Sequence, residues 1–316
     1  MTTQSSERRP AAVTVVIPAY RVGVMLHDAI DSVLAQDRTD WEIVVIDDGD
    51  RDAAAHVAPY LTDPRIRFLE TDNGGPSTAR NRAMATVTTP YVALLDGDDV
   101  YEPDFLSSMI AALEASPRIG FVTSDATFFG ADREGELFST YCPQQLPATL
   151  DRVLRREFNI FGLTVMRREA IMGIGGFDTS IISSEDFDGW IRLLEAGWEL
   201  AYVPRPIVRY RRRANQASRN SGGMLRTALT VTQRARERLA GRPEAKAAEE
   251  MCDRIARQIM IDDAFTDLEQ GRVHAALAGF DRAGPDLLGP RWRRALRVIR
   301  VAPFLAPLLL RLRKHV

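Results

Sequence analysis

Short apolar runs of strand length alternate with helical patterns through the first two-thirds of the chain. This alternation limits the fold more than any other feature, because strands separated by helices usually pair in parallel within a layered sheet. The apolar runs are Val13–Pro18, Glu42–Ile46, Ile66–Leu69, Tyr91–Leu95 and Gly120–Ser124. The sequence therefore predicts an α/β fold, with a mostly parallel sheet flanked by helices.

The alternation stops near residue 221, and the remainder is rich in Ala, Arg, Glu and Leu at helical spacing. We expect a flexible N-terminus over residues 1–11, an α/β domain over 12–221, a small helical appendage over 222–289 and a basic, apolar tail over 290–316. Within the appendage, residues 264–283 resemble one tetratricopeptide helix pair, a device for packing and partner contact. We interpret the appendage as a cap on the α/β domain that offers a surface to the acceptor or to a second copy of the chain, as a homo-oligomer.

Composition indicates an ordinary globular protein of a reducing compartment. The chain has 316 residues, 45% of them hydrophobic and 27% charged, which is enough to bury a full core. Cys142 and Cys252 are its two cysteines, so neither a disulfide framework nor a zinc site is expected. The first ten residues are polar, and no run approaches the ~20 apolar residues that span a bilayer. These features predict a cytoplasmic protein.

The tail differs in charge from the rest of the chain. Residues 291–316 contain eight Lys or Arg and no Asp or Glu, which leaves 33 basic against 43 acidic residues elsewhere. Basic and apolar residues mixed in one segment are typical of contact with an anionic membrane surface, here the inner face of the plasma membrane. The alternative is a terminal helix packed on the body, although Pro303 and Pro307 would interrupt a long helix. Nucleic-acid binding is not expected of an acidic body without a recognition motif.

Three acidic clusters stand out within the α/β region: Asp47–Asp50, Asp96–Asp99 and Glu185-Asp186. The first two directly follow strand-like runs, so their carboxylates are expected at the carboxyl ends of the strands, where open α/β sheets bind ligands. Carboxylates gathered in one place need a cation or hydrogen-bond donors to compensate their charge, and oxygen ligands around an open position suit Mg²⁺ or Mn²⁺. The sequence thus predicts a metal-bound phosphate at this edge.

Six short motifs follow one another along residues 13–218: Val15–Tyr20, Asp47–Gly49, Asn73–Asn81, Asp96–Asp99, Gly175–Asp178 and Glu185–Trp190. In this order they closely resemble the motifs of family-2 glycosyltransferases. The resemblance implies the GT-A fold with its mixed, mostly parallel sheet. It also implies a nucleotide-sugar donor, a divalent metal and inversion at the anomeric carbon.

The resemblance assigns the first three motifs to the nucleotide of the sugar donor. Backbone groups at the end of the first strand would clasp the nucleoside, and Asp48, then Asp47, would accept hydrogen bonds from the base and ribose. Asp50 stands where the family usually has serine, a departure that alters the loop and keeps both carboxylates. The predicted nucleotide-binding residues are Pro18, Ala19, Tyr20, Asp47, Asp48, Arg80 and Asn81.

The last motifs would carry the metal and the chemistry. Asp98, assisted by Asp96 or Asp99, is expected to hold Mn²⁺ or Mg²⁺ against the donor diphosphate. Asp186 matches the family's catalytic base, and Glu185 would contact an acceptor hydroxyl. For the nearby Trp190 we favour core packing over stacking on a sugar.

Basic residues near the end of the α/β region would complete the site. Arg211 and Arg213 are expected to stabilise the diphosphate leaving group. Related sequences often have Tyr-Arg-x-His here, and Arg213 takes the position of the histidine. A role for that position as a metal ligand is therefore in doubt.

The resulting hypothesis is an inverting glycosyltransferase with a UDP-sugar as donor. Its acceptor would be a glycan or a lipid-linked glycan of cell-surface polysaccharide synthesis. A sugar-phosphate nucleotidyltransferase is disfavoured, since no glycine-rich, basic signature follows the first strand. A catalytically silent protein that keeps the nucleotide pocket stays open as an alternative.

Overall fold

The computed structural model describes residues 11–213 and 221–310. The chain divides into two compact units, residues 1–219 and residues 220–316. The predicted flexible N-terminus lies outside the described residues except for Ala11, and so do the last six residues of the predicted tail.

A single mixed sheet forms the centre of the first unit. Its strands are β1 (Val13–Ala19), β2 (Trp41–Asp48), β3 (Ile66–Thr71), β4 (Tyr91–Leu94), β5 (Val100–Tyr101), β6 (Ile119–Gly130), β7 (Val165–Arg167) and β8 (Glu199–Arg212). The order across the sheet is β3-β2-β1-β4-β7-β6-β8-β5. Neighbours pair in parallel from β3 to β4 and between β6 and β8, and β7 and β5 pair antiparallel with their neighbours. The predicted mostly parallel sheet is confirmed, with an antiparallel insertion in its middle and at one edge.

Helices join the strands of this unit. They are α1 (Met25–Leu34), α2 (Ala53–Val57), α3 (Gly75–Met84), α4 (Phe105–Glu114), α5 (Phe138–Tyr141), α6 (Leu150–Leu154), α7 (Arg168–Gly173) and α8 (Glu185–Glu195). Pro76 lies in the first turn of α3, where its missing N–H costs no intrahelical hydrogen bond. The helix begins beside the end of β2, where the amides of Gly74 and Gly75 donate to the carboxylate of Asp48.

The core explains why the sequence pattern is periodic. Alternate residues of β1 pack with the apolar face of α1, and Val15, Ile17, Leu26 and Ile30 are fully buried. Trp190 on α8 is 1% exposed and stacks on Phe121 with ring centroids 5.4 Å apart, as core packing requires. At about 25 cal/mol per Å² of apolar surface, such side chains dominate the stability of the unit.

The second unit is entirely helical in the residues that are described. Its helices are α9 (Ser221–Arg238), α10 (Ala245–Glu269), α11 (Val273–Ala283), α12 (Pro290–Val301) and α13 (Ala306–Leu310). The Phe265 ring meets Phe280 and Trp292 edge to face, with centroids 4.9 and 4.7 Å away. A Cβ at Gly279 would lie 2.9 Å from Cβ of Ala264, so the absence of a side chain allows α10 and α11 to pack closely. Of the helices described, none combines the length and the apolar character needed to cross a bilayer.

Candidate active site

The loops after β1, β2 and β4 meet at one edge of the sheet. A Cβ at Gly97 would lie 3.0 Å from the carbonyl oxygen of Pro18, so only glycine lets these two loops approach this closely. The Asp50 carboxylate accepts a hydrogen bond from the amide of Arg21 and thereby joins the β1 and β2 loops. This contact shows what the departure from serine at residue 50 does in the structure.

The two carboxylates at the end of β2 have different environments. Asp48 accepts from the amides of Gly74 and Gly75 at 2.8 and 3.0 Å, so its two oxygens hold the loop that begins α3. Asp47 accepts from the Asp50 amide at 2.8 Å through Oδ1, while its buried Oδ2 has no hydrogen bond among the described residues. The predicted order of importance for nucleotide binding, Asp48 before Asp47, stays a prediction. The carboxylate oxygen that lacks a hydrogen bond, however, belongs to Asp47.

Asp47 also forms part of the wall of a cavity of about 580 Å³ at the β2 and β3 end of the sheet. Its parallel partners in register are Ala19 of β1 and Glu70 of β3. Ala19 is buried, whereas Tyr20 is 42% exposed beside it. The segment predicted to bind the nucleoside, residues 18–20, thus contains one exposed aromatic ring, that of Tyr20. The lining residues of the cavity are Asp47, Arg51, Glu70, Thr71, Asp72 and Arg82.

Arg80 bridges two of the predicted motifs. Its guanidinium donates to Glu185 Oε1 at 2.6 Å and to Asp96 Oδ1 at 2.9 Å. Burial acts to lower the pKa of Arg80, but the negative charges of Asp96, Glu185 and Asp186 outweigh it and raise the pKa above its ordinary value. Arg80 is therefore a permanent cation that joins the loop after β4 to the start of α8.

Glu185 is one of the partners of this cation and lies buried. Burial raises its pKa most, Arg80 opposes this effect, and the neighbouring Asp186 raises the pKa further. The net result is a pKa above the ordinary value of 4.5. The side chain predicted to contact an acceptor hydroxyl is thus engaged with Arg80, and its acceptor role stays a prediction.

Asn81 fixes the glycine-rich loop before α8. Its amide donates to the carbonyl of Phe177 at 2.7 Å and accepts from the Phe177 amide at 2.9 Å. A Cβ at Gly176 would lie 2.6 Å from Asn81 Oδ1, so the loop needs glycine there. Both polar atoms of Asn81 therefore orient protein backbone, and its predicted role in donor binding stays a prediction.

The carboxylates after β4 are matched by arginines from the end of β8. Arg213 Nε and Asp98 Oδ2 form an ion pair 2.7 Å apart. The angles at this contact are not those of a hydrogen bond, and neither buried atom has a hydrogen bond among the described residues. Asp99 Oδ1 accepts from the Arg211 amide at 2.8 Å. The Arg211 side chain donates to the Asp98 carbonyl at 2.7 Å and to Asp28 at 2.6 Å. Each of the three aspartates of the motif thus contacts an arginine, since Asp96 pairs with Arg80.

Burial dominates the ionisation of this cluster. Desolvation and then the charge of Asp96 raise the pKa of Asp98, although Arg213 opposes them. Asp99 is 1% exposed, and burial followed by the charges of Asp98 and Asp96 raises its pKa well above 3.8. An added cation would be stabilised here, because it would relieve this repulsion.

The residues present fit a divalent metal of the Mg²⁺ type in part. The described residues contain no cluster of three or more His, Cys, Asp or Glu arranged to hold an ion. Mg²⁺, however, commonly uses one or two carboxylates together with substrate phosphates. Asp98 Oδ2 has an ion pair with Arg213 and no hydrogen bond among the described residues, and the Asp96 side chain is 41% exposed. These two carboxylates suit that arrangement if Arg213 moves aside. Asp99 is held against β8 and is the least accessible of the three.

The predicted base lies in the first turn of α8. Ser184, just before it, has a left-handed backbone with φ of 60°, which turns the chain sharply into the helix. Asp186 Oδ1 accepts from the amide of Phe187 at 2.7 Å. A Cβ at Gly162 would lie 3.2 Å from Oδ2, so no side chain of that residue covers the second oxygen. Asp186 is half-buried, and its Oδ2 accepts no hydrogen bond from the residues that the structure describes.

The rest of the α8 motif supports this turn. Asp188 accepts from Arg192 Nε at 2.6 Å, and the same guanidinium donates to the carbonyls of Ile174 and Gly176, each at 2.8 Å. Gly189 contacts the Phe177 ring, where a Cβ would lie at 3.1 Å. The sequence reasoning did not identify the Asp188–Arg192 pair, although its i, i+4 spacing is a readable signal.

One further arginine near the base was missed. The guanidinium of Arg156 lies 3.5 Å from the centroid of the Phe187 ring, the residue next to Asp186. It follows α6 in a segment whose sequence offers no motif. The only available signal was the density of arginines between residues 152 and 156.

Five described residues other than glycine have a positive φ, between 52° and 63°. Such backbone is unfavourable for a residue with a Cβ and is found preferentially at functional sites. Four of the five are arginines, and the fifth is Ser184 before the predicted base. The arginines are Arg21, Arg51, Arg133 and Arg156.

Comparison with known proteins identifies the family. The sequence profile described as Glycosyl transferase family 2 matches residues 14–175, just over half of the chain. The chain belongs to glycosyl transferase family 2. This match includes Asp47, Arg80 and Asp98, whereas Asp186 lies beyond its end.

Curated family-2 relatives include proteins of polysaccharide synthesis. Succinoglycan biosynthesis protein ExoO of Rhizobium meliloti is 30% identical over 223 residues, which cover 66% of this chain and 62% of that protein. Chondroitin synthase of Escherichia coli is 28% identical over 198 residues, covering 60% of this chain and 27% of that protein. The chain therefore spans less than two thirds of the length of either relative.

Solved structures support the GT-A fold of this family-2 chain. The mannosyltransferase PcManGT from Pyrobaculum calidifontis, in complex with GDP-Man and Mn²⁺, has a TM-score of 0.62 at 18% identity, covering 94% of this chain and 81% of that one. S. aureus TarS 1-349 in complex with UDP-GlcNAc has a TM-score of 0.61 at 16% identity, covering 92% and 87%. At these identities the likeness establishes the fold alone, and the predicted GT-A fold is confirmed.

Proposed function

We propose that this family-2 glycosyltransferase transfers a sugar from a nucleotide diphosphate to an acceptor hydroxyl with inversion at the anomeric carbon. The observation that carries the proposal is the arrangement around Arg80, which links the acidic loop after β4 to the first turn of α8. The two predicted halves of the site, the donor side and the base side, are thereby joined through one buried cation.

In this proposal Asp186 is the general base. As the acceptor oxygen attacks the anomeric carbon, its proton passes to Asp186 Oδ2, and the bond from that carbon to the diphosphate oxygen breaks. The electron pair of that bond leaves with the nucleoside diphosphate. General-base catalysis of this kind typically contributes about 10²–10⁴-fold. A single displacement inverts the configuration.

Charge on the diphosphate needs a counter-charge. We propose that Asp98 and Asp96, with Asp99 behind them, hold Mn²⁺ or Mg²⁺ together with phosphate oxygens. Such a cation, when bound, neutralises charge on the departing diphosphate. Arg213 sits 2.7 Å from Asp98 Oδ2, so we expect it to turn toward the phosphates when the sugar donor binds. Arg211, held by Asp28 and by the Asp98 carbonyl, would orient this loop.

The nucleotide is proposed to be uridine diphosphate. Its nucleoside would lie between the end of β1, with Pro18, Ala19 and Tyr20, and the carboxylate of Asp47. The names of similar structures support a nucleotide-sugar, although one of them contains UDP-GlcNAc and the other GDP-Man. The names of the curated relatives support a glycan or lipid-linked glycan as acceptor, in the synthesis of a cell-surface polysaccharide.

We further propose a cytoplasmic protein that binds peripherally to the inner face of the plasma membrane through residues 291–316. Within the second unit, Leu296 and Ile299 of α12 pack inward, while Val301 and Phe304 are 87% and 80% exposed. Exposed apolar side chains beside exposed arginines suit an anionic lipid surface. Flotation with anionic liposomes should carry the full chain, and not a chain ending at Gly289; equal partitioning of both would contradict this proposal.

Release of nucleoside diphosphate is the decisive measurement for the function. Purified protein is incubated with UDP-, GDP- and dTDP-sugars in the presence of Mn²⁺, Mg²⁺ or EDTA, with binding of each nucleotide measured in parallel by calorimetry. We expect metal-dependent release from one sugar donor. Neither release nor nucleotide binding with any sugar donor would overturn the proposal, and binding with release that Asp186→Asn leaves unchanged would overturn the assignment of the base.

A further inference from the structure

Arg156 has a left-handed backbone conformation that residues with a Cβ rarely adopt. Its amide donates to the carbonyl of Val153 at 3.1 Å, and the next amide, of Glu157, donates to Arg152 at 2.9 Å. These two hydrogen bonds form a Schellman motif that ends α6, and Arg156 occupies the left-handed position of that motif with φ of 58°. Glycine is the preferred residue there, because a Cβ is strained in this conformation. An arginine at this point suggests that its side chain is needed.

The guanidinium of Arg156 lies beside the proposed base, and the described residues give it neither a hydrogen bond nor an ion pair. It stacks on the Phe187 ring at 3.5 Å, and the negative charge of Asp186 acts on it. Arg156 is half-buried, and this burial lowers the pKa of its guanidinium. A cation so placed gains strongly from an anion.

A second arginine acts on the thiol of Cys142, as Arg156 does. The guanidinium of Arg133 lies 3.7 Å from the Tyr141 ring, and its charge, like that of Arg156, lowers the pKa of Cys142 against the effect of burial. Arg133 also has a left-handed backbone, with φ of 59°. The nearby Arg155, in contrast, pairs with Asp151 at 2.9 Å.

We propose that Arg156, assisted by Arg133, binds an anionic group of the acceptor beside the hydroxyl that Asp186 deprotonates. This inference rests on the proposed function and adds the substrate class, an acceptor that carries a carboxylate or a phosphate. A guanidinium stacked on an aromatic ring keeps its donor edge free, and that edge matches either group bidentately. A neutral acceptor would leave the cation without a partner.

Alkylation of Cys142 by the neutral reagent iodoacetamide provides a test that does not depend on turnover. In a Cys252→Ala background, the alkylation rate at pH 8 is measured against increasing methyl glucuronide, glycerol 1-phosphate and the uncharged methyl glucoside. Both anions should slow alkylation, since an anion on Arg156 removes a charge that favours the thiolate and covers the thiol. The glucoside should not. The tighter of the two anions identifies whether a carboxylate or a phosphate is preferred.

Two variants assign the effect to one residue. Arg156→Gly suits the left-handed backbone and should fold with an unchanged or higher Tm, yet weaken anion protection by roughly 10- to 100-fold, as expected for lost hydrogen bonds to a charged group. Arg155→Gln removes the same charge one residue away and should leave protection unchanged.

Protection by the glucoside equal to that by the anions, or equal protection in both variants, would overturn the inference. So would protection by UDP at the same concentrations, because the site would then belong to the sugar donor. These outcomes are separable from failure of the proposed function, which appears as absent donor turnover and nucleotide binding whatever the behaviour of Cys142.

Discussion

Replacing Arg80 by methionine should destabilise the first unit far more than replacing a surface arginine. The side chains of Arg80 and Glu185 are 9% and 11% exposed and joined at 2.6 Å. Removing one partner of a buried ion pair costs about 3–5 kcal/mol, because the other charge stays buried without compensation. For a unit of this size, 1 kcal/mol corresponds to about 2–4 °C in Tm, so the expected loss is about 6–20 °C.

A matched control is available in the same sheet. Arg67 pairs with Glu42 at 3.1 Å, but its side chain is 39% exposed. Arg67→Met should cost about 1 kcal/mol or less, as exposed pairs do. Urea unfolding followed by tryptophan fluorescence measures both variants, since three of the four tryptophans lie in the first unit. Methionine keeps the approximate length of the arginine side chain at both positions, and at Arg80 on α3 it also keeps the helix propensity.

A double variant and a pH series make the reasoning refutable. Adding Glu185→Met to Arg80→Met should restore part of the lost stability, because no buried carboxylate then lacks a partner. Without Arg80, the pKa of Glu185 rises further above 4.5. The folded state then binds more protons than the unfolded state, so stability falls as the pH rises through that window, and the deficit of Arg80→Met should be smallest at low pH. A deficit no larger than that of Arg67→Met, with no rescue by the double variant, would refute the bridging role of Arg80.

Three shorter predictions concern the carboxylates. Asp186→Asn should lower turnover by about 10²–10⁴-fold with unchanged nucleotide affinity by calorimetry, and a comparable loss of affinity would place Asp186 in sugar-donor binding instead. Arg213→His should raise the affinity for Mn²⁺ by at least about tenfold, since one charge about 4 Å away is worth about 4 kcal/mol near a protein surface. Titration with Mn²⁺ followed by paramagnetic resonance measures this affinity. Arg212→His is the control, because Arg212 pairs with Asp132 at 3.0 Å instead. Asp99→Asn keeps an acceptor for the backbone and removes a buried charge, so its Tm should exceed wild type at pH 7.5, with the gap closing as the pH falls toward 3.8.

Local patterns were sufficient for five of the eight described strands and for the edge of the site, but not for β5, β7 and β8. The runs that end near Asp47 and Asp96 are apolar at strand length, and the carboxyl ends of parallel strands meet wherever such a sheet forms. The residue types of Gly97 and Pro76 also indicate their structural roles. Glycine allows the close approach of two loops, and proline suits the first turn of a helix. The fold class and the location of the acidic loops therefore follow from the sequence.

Partners across the sheet could not be predicted in this way. Arg80 and Glu185 are 105 residues apart, and their contact depends on the order of strands between α3 and α8. Asp47, and not Asp48, keeps a carboxylate oxygen without a hydrogen bond, because the amides of Gly74 and Gly75 reach Asp48. The Schellman motif at Arg156 could not be recognised from the sequence, because it lacks the glycine that normally marks one.

The four arginines in left-handed backbone have a practical consequence for engineering this protein. A design procedure that scores backbone compatibility alone would replace Arg21, Arg51, Arg133 and Arg156 with glycine first, and each replacement should relieve strain. Thermostability and catalytic performance would then diverge, since stabilising changes at strained functional positions commonly lower activity. Arg133 and Arg156, the two of these arginines proposed to bind the acceptor, should therefore be held constant when the protein is stabilised by directed evolution or consensus design.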